Sequence, residues 1–96
     1  MNYWPRFLTY GNWGGPSWSG GEFVHDRSKV DWGVEPIDAM DAAFMRHDMQ
    51  VQSGLGSVAH RILAAELEDL QPPESLWGKL YRLAALAVFR VLRHFG

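Results

Sequence analysis

The chain has 96 residues, a length that fits one small domain over residues 1–96. It contains no cysteine, which excludes disulfide bonds and thiolate zinc sites. Its formal net charge of -2 lacks the basic excess of a typical nucleic-acid-binding protein. Because a domain of this size buries only a modest core, we expect support from a hard metal ion bound through oxygens, from oligomerisation or from very good packing.

The sequence shows neither a targeting signal nor a membrane span. The first four residues, MNYW, carry no cationic side chain and lead into no long apolar run, so no secretory signal is predicted. The longest apolar stretch, 83–91, is shorter than the ~20 residues of a membrane helix and includes Arg90. We therefore expect synthesis in the cytoplasm, with delivery by a virion, a phage or a secretion system left open.

The N-terminal third of the chain is predicted to be mainly loop. We expect an extended arm or a short turn over 1–9 and a loop over 10–35, in which 23–32 is either a short strand or irregular. Residues 10–21 read YGNWGGPSWSGG and contain five glycines and two tryptophans. A flexible linker would not normally carry two indoles, and a phosphate-binding loop would need a lysine and a different glycine spacing. The stretch therefore needs another explanation.

The clearest helix is predicted over residues 36–53. Pro36 suits the first helical position, and Asp38 and Asp41 complement the positive end of the helix dipole. The glycine-containing turn over 53–56 is expected to end the helix. The apolar stripe of the helix has helical spacing and consists of Ile37, Met40, Phe44 and Val51.

Two further helices complete the predicted all-α fold, a glycine-rich loop followed by an antiparallel helical hairpin and a C-terminal helix. The second helix is expected over 57–70, with Ser57 as its N-cap and two prolines after its end. The third is expected over 74–95 and is apolar around most of its circumference. Its apolar bulk and late arginines would also allow it to lie in a membrane headgroup layer, but most of its apolar side chains are expected to close the core. Any exposed remainder would favour a homodimer or a protein partner. The predicted core residues are Leu76, Leu80, Leu83, Val88 and Leu92.

His47 and Asp48 lie on the two edges of the apolar stripe of the first helix, at about 100° per residue. Both side chains can therefore face a partly dry space. Taken alone, the pair also fits a core histidine beside a surface acid. The glycine-rich loop favours a functional interpretation, because backbone carbonyls and a carboxylate together suit a calcium ion. A histidine beside such an ion can act as a general base on a water molecule.

Two segments of the chain together resemble the signature of a known family. YGNWGGPSWSGG followed by PIDAMDAAFMRHD is similar to the calcium loop and active-site helix of phospholipase A2 enzymes. That signature runs Y-G-x-x-C-G-x-G-x-x-G and then P-x-D-x-L-D-x-C-C-x-x-H-D. Without the cysteines, the chain is more similar to the short, cysteine-poor phospholipase A2-like domains of bacteria and viruses. The matching positions are Tyr10, Gly11, Gly15, Gly20, Pro36, Asp38, Asp41, His47 and Asp48.

The resemblance implies a phospholipase A2-like fold with a calcium site. The family's calcium ligands fall on the backbone carbonyls of Trp13, Gly15 and Ser17 and on the carboxylate of Asp48. His47 would activate a water that attacks the sn-2 ester of a glycerophospholipid. The ion and the backbone N–H of Gly15 would stabilise the oxyanion.

The resemblance also implies supporting residues and a partner. Asp41 and Tyr10 match positions that support the active-site helix and the loop. The implied partner is a phospholipid membrane surface, and no nucleic acid is expected. Because indoles are favoured at membrane interfaces, Trp13 and Trp18 are expected to face the lipid.

One departure from the family concerns the aspartate of the second helix that orients the catalytic histidine. His60 occupies the matching position, and a neutral imidazole can accept a hydrogen bond from His47. Glu66 is the other candidate, since it falls on the apolar face of the second helix. Glu66 could instead form an ion pair with an arginine such as Arg61 or Arg82. Both candidates for the orienting partner remain open at this point.

Two further departures bear on activity. Ser17 replaces a loop glycine, which is acceptable unless the backbone φ angle there must be positive. Val51 stands where the family usually has a tyrosine. The main alternative to an enzyme is thus a catalytically weak or silent relative that binds calcium, lipid or a protein. A helical module of a larger particle or secretion apparatus is a third hypothesis.

Overall fold

The computed structural model describes residues 5–24 and 26–94, without the side chain of Arg27. The predicted arm therefore lies partly outside the described residues, as does residue 95 of the predicted third helix. The predicted three-helix architecture is confirmed, and a small two-stranded sheet accompanies it. In chain order the elements are a 3-10 turn Arg6–Leu8, β1 Trp18–Ser19, β2 Glu22–Phe23, a 3-10 turn Arg27–Lys29, α1 Ala39–Gln52, α2 Gly56–Asp69 and α3 Leu76–Leu92.

The two strands form an antiparallel hairpin inside the predicted loop. Trp18 pairs with Phe23, and their rings meet edge to face with centroids 4.8 Å apart. Gly20 and Gly21 connect the strands with φ angles of 66° and 79°. Two consecutive positive φ angles are what a two-residue hairpin turn of the primed type requires. The prediction of a loop was therefore wrong over Trp18–Ser19 and Glu22, whereas Phe23 begins the segment for which a short strand was one of the two predicted alternatives.

Helix α1 begins at Ala39, three residues later than the predicted start at Pro36. Asp38 is the N-cap, and its carboxylate accepts a hydrogen bond of 2.8 Å from the backbone N–H of Asp41. A capping carboxylate satisfies a helix N–H that has no partner within the helix. The helix ends at Gln52, just before Gly54, whose φ angle of 86° suits a helix terminus.

Helices α2 and α3 complete a bundle in which neighbouring helices are antiparallel. The N-cap position of α2 is held by Leu55 instead of the predicted Ser57. Ser75 caps α3, because its hydroxyl accepts a hydrogen bond of 2.9 Å from the N–H of Gly78. Residues 53–55 alone separate α1 from α2, which makes that pair an antiparallel hairpin.

The core lies between the glycine-rich loop and one face of each helix. Its largest fully buried side chains are Trp13, Met40, Leu63, Leu67 and Asp41. Within residues 5–24 and 26–94, no helix is long and apolar enough to cross a bilayer.

The predicted closure of the core by α3 was wrong for most of the side chains named. Leu76 is 74% exposed and Leu80 is 52% exposed. Leu83 and Val88 are also exposed, whereas Leu92 is partly buried. Because α3 is apolar on nearly every side, hydrophobic periodicity could not identify its buried face. That face consists of Gly78, Tyr81, Ala85, Leu86 and Phe89.

Candidate functional site

The carboxylate of Asp41 joins the glycine-rich loop to the start of α1. It is fully buried and accepts hydrogen bonds from the backbone N–H groups of Asn12, Trp13 and Ile37 at 2.9, 2.8 and 3.0 Å. Burial raises the pKa of this carboxyl, and the three backbone donors oppose the shift. The loop is thus held to the start of the helix through its own backbone groups.

Gly11 makes this close approach possible. Its φ angle is 56°, and a Cβ atom added there would lie 2.5 Å from Cγ of Asp41. A side chain at this position would therefore collide with the buried carboxylate in addition to straining the backbone. Glycine is required here by both the turn and the packing.

Tyr10 contributes a second connection between the loop and α1. Its hydroxyl donates a hydrogen bond to the carboxylate of Asp38, the N-cap of the helix. Burial and this carboxylate raise the pKa of Tyr10. The Tyr10 ring lies 5.5 Å from the ring of Tyr81, whose hydroxyl donates to the carbonyl of Leu8 at 2.6 Å. Tyr10 and Tyr81 thus tie the loop to α1 and α3.

The three backbone carbonyls expected to bind calcium lie in the turn before β1. The carbonyl of Gly15 accepts a hydrogen bond of 3.3 Å from Trp18, and that of Ser17 accepts one of 2.7 Å from Val24. Each carbonyl oxygen has two lone pairs, so each can accept a hydrogen bond and still bind a cation. Ser17 has a φ angle of 56°, so a serine here adopts the conformation that favours glycine.

The prediction that Trp13 and Trp18 face lipid was wrong. Trp13 is 1% exposed and Trp18 is 6% exposed. The indole N–H of Trp13 donates to the Val34 carbonyl at 3.1 Å, and its ring stacks on Trp32 with centroids 5.2 Å apart. The indole N–H of Trp18 donates a hydrogen bond of 2.9 Å to the backbone carbonyl of Gly11. In a small domain without disulfides, these large rings supply core volume that the helices alone do not.

His47 and Asp48 lie near the middle of α1, and the side chain of each is 13% exposed. The Nδ1 atom of His47 is 3.8 Å from Oδ1 of Asp48. The other carboxylate oxygen of Asp48 accepts a hydrogen bond of 2.6 Å from the hydroxyl of Ser19. Ser19 was not among the predicted site residues, because its contact with Asp48 follows from the unpredicted hairpin. The Gly-Gly pair after Ser19 was the available signal for that hairpin.

His60 is the residue that the structure brings to His47. Nε2 of His47 lies 2.9 Å from Nδ1 of His60, with the ring centroids 5.1 Å apart. Phe89 of α3 packs against both rings, at centroid distances of 4.9 and 5.6 Å. Burial lowers the pKa of His60, and the charge of His47 lowers it further. His60 is thus favoured in its neutral form, which can accept a hydrogen bond at Nδ1.

Glu66, the other candidate, faces a different neighbour. Its carboxylate accepts hydrogen bonds from the guanidinium of Arg46: from Nε at 3.1 and 3.4 Å and from Nη2. Its arginine partner is therefore neither of the two predicted, and Arg82 instead donates to the carbonyl of Leu67 at 2.6 Å. Glu66 is about 9 Å from His60 along the axis of α2, at about 1.5 Å per residue. This separation explains why only His60 is level with His47.

Comparison with known proteins gives no match: no family model, no curated protein and no solved structure is similar to this chain. In the part of the chain that the structure describes, no group of three or more His, Asp or Glu side chains is arranged to hold a metal ion. A metal ion at this site would therefore depend on backbone carbonyls together with Asp48.

Proposed function

We propose that this chain is a small hydrolase of the phospholipase A2 type, with a phospholipase A2-like fold. Its reaction would be the calcium-dependent hydrolysis of the sn-2 ester of glycerophospholipids at a membrane interface. The observation that carries the proposal is the orientation of His47. Its Nε2 atom is hydrogen-bonded to Nδ1 of His60 at 2.9 Å, and its Nδ1 atom lies 3.8 Å from Oδ1 of Asp48. Nδ1, which has no hydrogen-bond partner within residues 5–24 and 26–94, is thus beside the carboxylate expected to bind calcium.

The donor atoms at the site fit a calcium ion in their chemistry. The carbonyls of Trp13, Gly15 and Ser17 and the carboxylate of Asp48 are hard oxygen donors, which calcium prefers. Calcium takes about six to eight oxygen ligands, so water and lipid oxygens would complete its shell. When bound, the ion would supply the positive charge that polarises the ester carbonyl and neutralises the lipid phosphate.

In the proposed reaction His47 is the general base. Its Nδ1 atom removes a proton from a water molecule, whose oxygen attacks the carbonyl carbon of the sn-2 ester. The tetrahedral intermediate collapses with loss of the lysophospholipid alkoxide, and His47 returns its proton to that oxygen. The N–H of Gly15 is placed by the resemblance at the developing oxyanion, where a preorganised donor stabilises the transition state.

His60 is a positioning residue in this mechanism. For Nδ1 of His47 to accept a proton, Nε2 of His47 must carry a hydrogen and donate it to Nδ1 of His60. The remaining nitrogen of His60 then carries the hydrogen of that ring. A neutral imidazole fixes the tautomer of His47 as a carboxylate would, but it stabilises the protonated form of His47 less, because a charge-assisted hydrogen bond is about twice as strong.

Hydrolysis of vesicles tests the proposal. Phospholipids labelled on the sn-1 or the sn-2 chain should release the sn-2 label in calcium and neither label with a chelator. His47→Gln and Asp48→Asn should abolish release, whereas His94→Gln, a change at an exposed histidine, should leave it intact. Release that persists in His47→Gln would exclude this mechanism.

A catalytically weak or silent relative is the second candidate. The observation that favours it is the imidazole of His60 where the family places a carboxylate. Such a protein would bind calcium, lipid or a protein partner, within a larger particle or a secretion apparatus. Calcium would then raise the melting temperature, because a ligand that binds only the folded state stabilises it. A rise in melting temperature without hydrolysis would favour this candidate over the enzyme.

A further inference from the structure

Helix α3 presents a second apolar face, which the fold leaves in solvent. Leu76, Leu80 and Leu83 are more than half exposed, as are Val88 and Val91. We call this face the α3 stripe; it consists of Leu76, Trp77, Leu80, Leu83, Ala84, Ala87, Val88 and Val91, all of them exposed. These positions fall within an arc of about 140° and extend over about 22 Å of the helix. A continuous exposed apolar face of this length marks an interaction surface.

The charged side chains of helix α3 itself are all positive. Residues 75–96 carry four lysine or arginine side chains and no Asp or Glu, whereas residues 1–74 carry five lysine or arginine side chains and eleven Asp or Glu. Lys79 and Arg90 lie along one edge of the stripe, by their positions on the helix. Arg90 forms an ion pair with Glu68 at 3.1 Å, in which the two side chains are 52% and 42% exposed. Such an exposed pair contributes little to stability, so Arg90 can bind an external anion instead. The stripe is therefore complementary to an anionic partner.

A second copy of the chain fits this surface poorly. Antiparallel pairing of two α3 helices about a two-fold axis brings the edge that carries Lys79 and Arg90 against the same edge of the other copy. Helix α3 provides no carboxylate of its own, and only Arg90 has a described acidic partner, the exposed Glu68 of α2. Like charges that face each other across an interface oppose association. A flat anionic surface instead receives one convex apolar helix and its flanking cations without any matching groove.

We propose that the α3 stripe docks this protein on an anionic phospholipid surface, with α3 lying in the headgroup layer. The expectation of a lipid surface rests on the proposed function. The inference assigns the membrane-facing surface to α3 instead of the loop tryptophans, which are buried. Trp77, at one end of the stripe, supplies an indole at the depth where indoles are favoured.

The N-terminal end of the α3 stripe adjoins the candidate site. The ring centroid of Trp77 lies 5.6 Å from that of Tyr81, whose hydroxyl donates a hydrogen bond to the carbonyl of Leu8. That carbonyl would lie 2.8 Å from a Cβ atom at Gly15, so Leu8 packs against the loop. Phe7, next in the chain, is 68% exposed on the same segment. Docking through this end brings the lipid surface beside the expected calcium loop.

Vesicle co-sedimentation in the presence of EDTA tests the inference without hydrolysis. The protein should bind vesicles of phosphatidylcholine mixed with phosphatidylglycerol and should not bind vesicles of phosphatidylcholine alone. Leu80→Glu should weaken binding at least ~10-fold, because a leucine leaves the lipid and a charge replaces it. Leu55→Glu is the matched control, since Leu55 is similarly exposed but lies in the turn before α2. It should bind as the wild type does.

Three outcomes would overturn the inference: no binding to the mixed vesicles, equal losses in Leu80→Glu and Leu55→Glu, or a dimer in sedimentation velocity that Leu80→Glu dissociates. The last result would assign the α3 stripe to a second copy. Hydrolysis is measured separately and distinguishes the two proposals. A protein that binds but never hydrolyses lipid contradicts only the proposed function. A protein whose hydrolysis and binding are both unaffected by Leu80→Glu contradicts only this inference.

Discussion

The Nε2 atom of His47 lies 2.9 Å from the Nδ1 atom of His60, so two imidazoles join α1 to α2 where a histidine–carboxylate pair is expected from the resemblance. Phe89 covers both rings from α3. The contact occupies one nitrogen of His47 and leaves the other beside Asp48. An imidazole thus stands where the resemblance implies a carboxylate, while the carboxylate of Asp48 lies 3.8 Å from the other ring nitrogen of His47.

Replacement of His60 tests its positioning role. His60→Leu leaves the Nε2–H of His47 without an acceptor, and we expect kcat to fall ~100-fold or more, since general-base catalysis contributes about that much. His60→Asn keeps an acceptor oxygen and should lose less. The measurement is a steady-state titration with lipid, in which KM should change little for either variant. Equal activity of His60→Leu and the wild type would show that His60 has no role in the reaction.

Asp41 is expected to contribute to stability through its three backbone hydrogen bonds. Asp41→Asn turns an amide NH2 toward a backbone N–H and should lower the free energy of unfolding by ~1–3 kcal/mol. Asp69→Asn, at an exposed position of α2, should change it by less than ~0.5 kcal/mol. Urea denaturation measures both values. Equal stabilities for the two variants would mean that the buried carboxylate does not hold the loop.

A pair of glycine substitutions separates the clash at Gly11 from backbone strain. Gly54→Ala also places alanine at a positive φ, but no atom lies within 4 Å of the added Cβ, so we expect a cost of ~1–2 kcal/mol from strain alone. Gly11→Ala adds a collision with Cγ of Asp41 and should cost clearly more. Thermal unfolding of the two variants makes the comparison. A smaller loss for Gly11→Ala than for Gly54→Ala would contradict the packing of the loop on Asp41.

Ser17→Gly is expected to raise the stability slightly. The positive φ of Ser17 strains a residue with a side chain by about 1–2 kcal/mol, while glycine adds up to ~1 kcal/mol of unfolded-state entropy. The net gain should therefore lie between zero and ~2 kcal/mol and be visible as a higher melting temperature. Ser57→Gly, in the first turn of α2, is the control and should lower the melting temperature. A fall in both variants would refute the strain at Ser17.

Alkaline pH should destabilise the fold through Tyr81. Burial raises its pKa from 10.0 to about 12, so the folded state holds the phenolic proton more tightly than the unfolded state does. The corresponding stability is complete below about pH 10 and is lost as the pH rises through about 12. Tyr81→Phe should be less stable at neutral pH and should show a shallower alkaline decline. Urea denaturation across this pH range checks both expectations, and an unchanged decline in Tyr81→Phe would contradict them.

The helices were predictable because their signals are local. Caps, proline stops and glycine turns placed the three helices to within about three residues of their observed bounds. The start of α1 was predicted too early, because a capping carboxylate at Asp38 outweighs the preference of proline for a first helical turn. The small hairpin was missed because its strands are only two residues long and show no periodicity.

Long-range packing was harder to predict from the sequence. The apolar sequence of α3 did not show which side would be buried, and the choice depends on how Tyr81 and Phe89 fit the loop and the histidine pair. The burial of Trp13 likewise depends on Trp32 and on the Val34 carbonyl, which are distant in sequence. For His47, a helical wheel left two partners open, and the register between α1 and α2 brought His60 to it.

The most direct test of the central claim is the initial rate of fatty-acid release from vesicles, measured in calcium for the wild type and for His47→Gln. Both proteins should first be shown to be folded by circular dichroism. The proposed mechanism predicts release of the sn-2 chain by the wild type, none in a chelator, and none from His47→Gln. Release at the same rate by His47→Gln, or by the wild type without calcium, would contradict it.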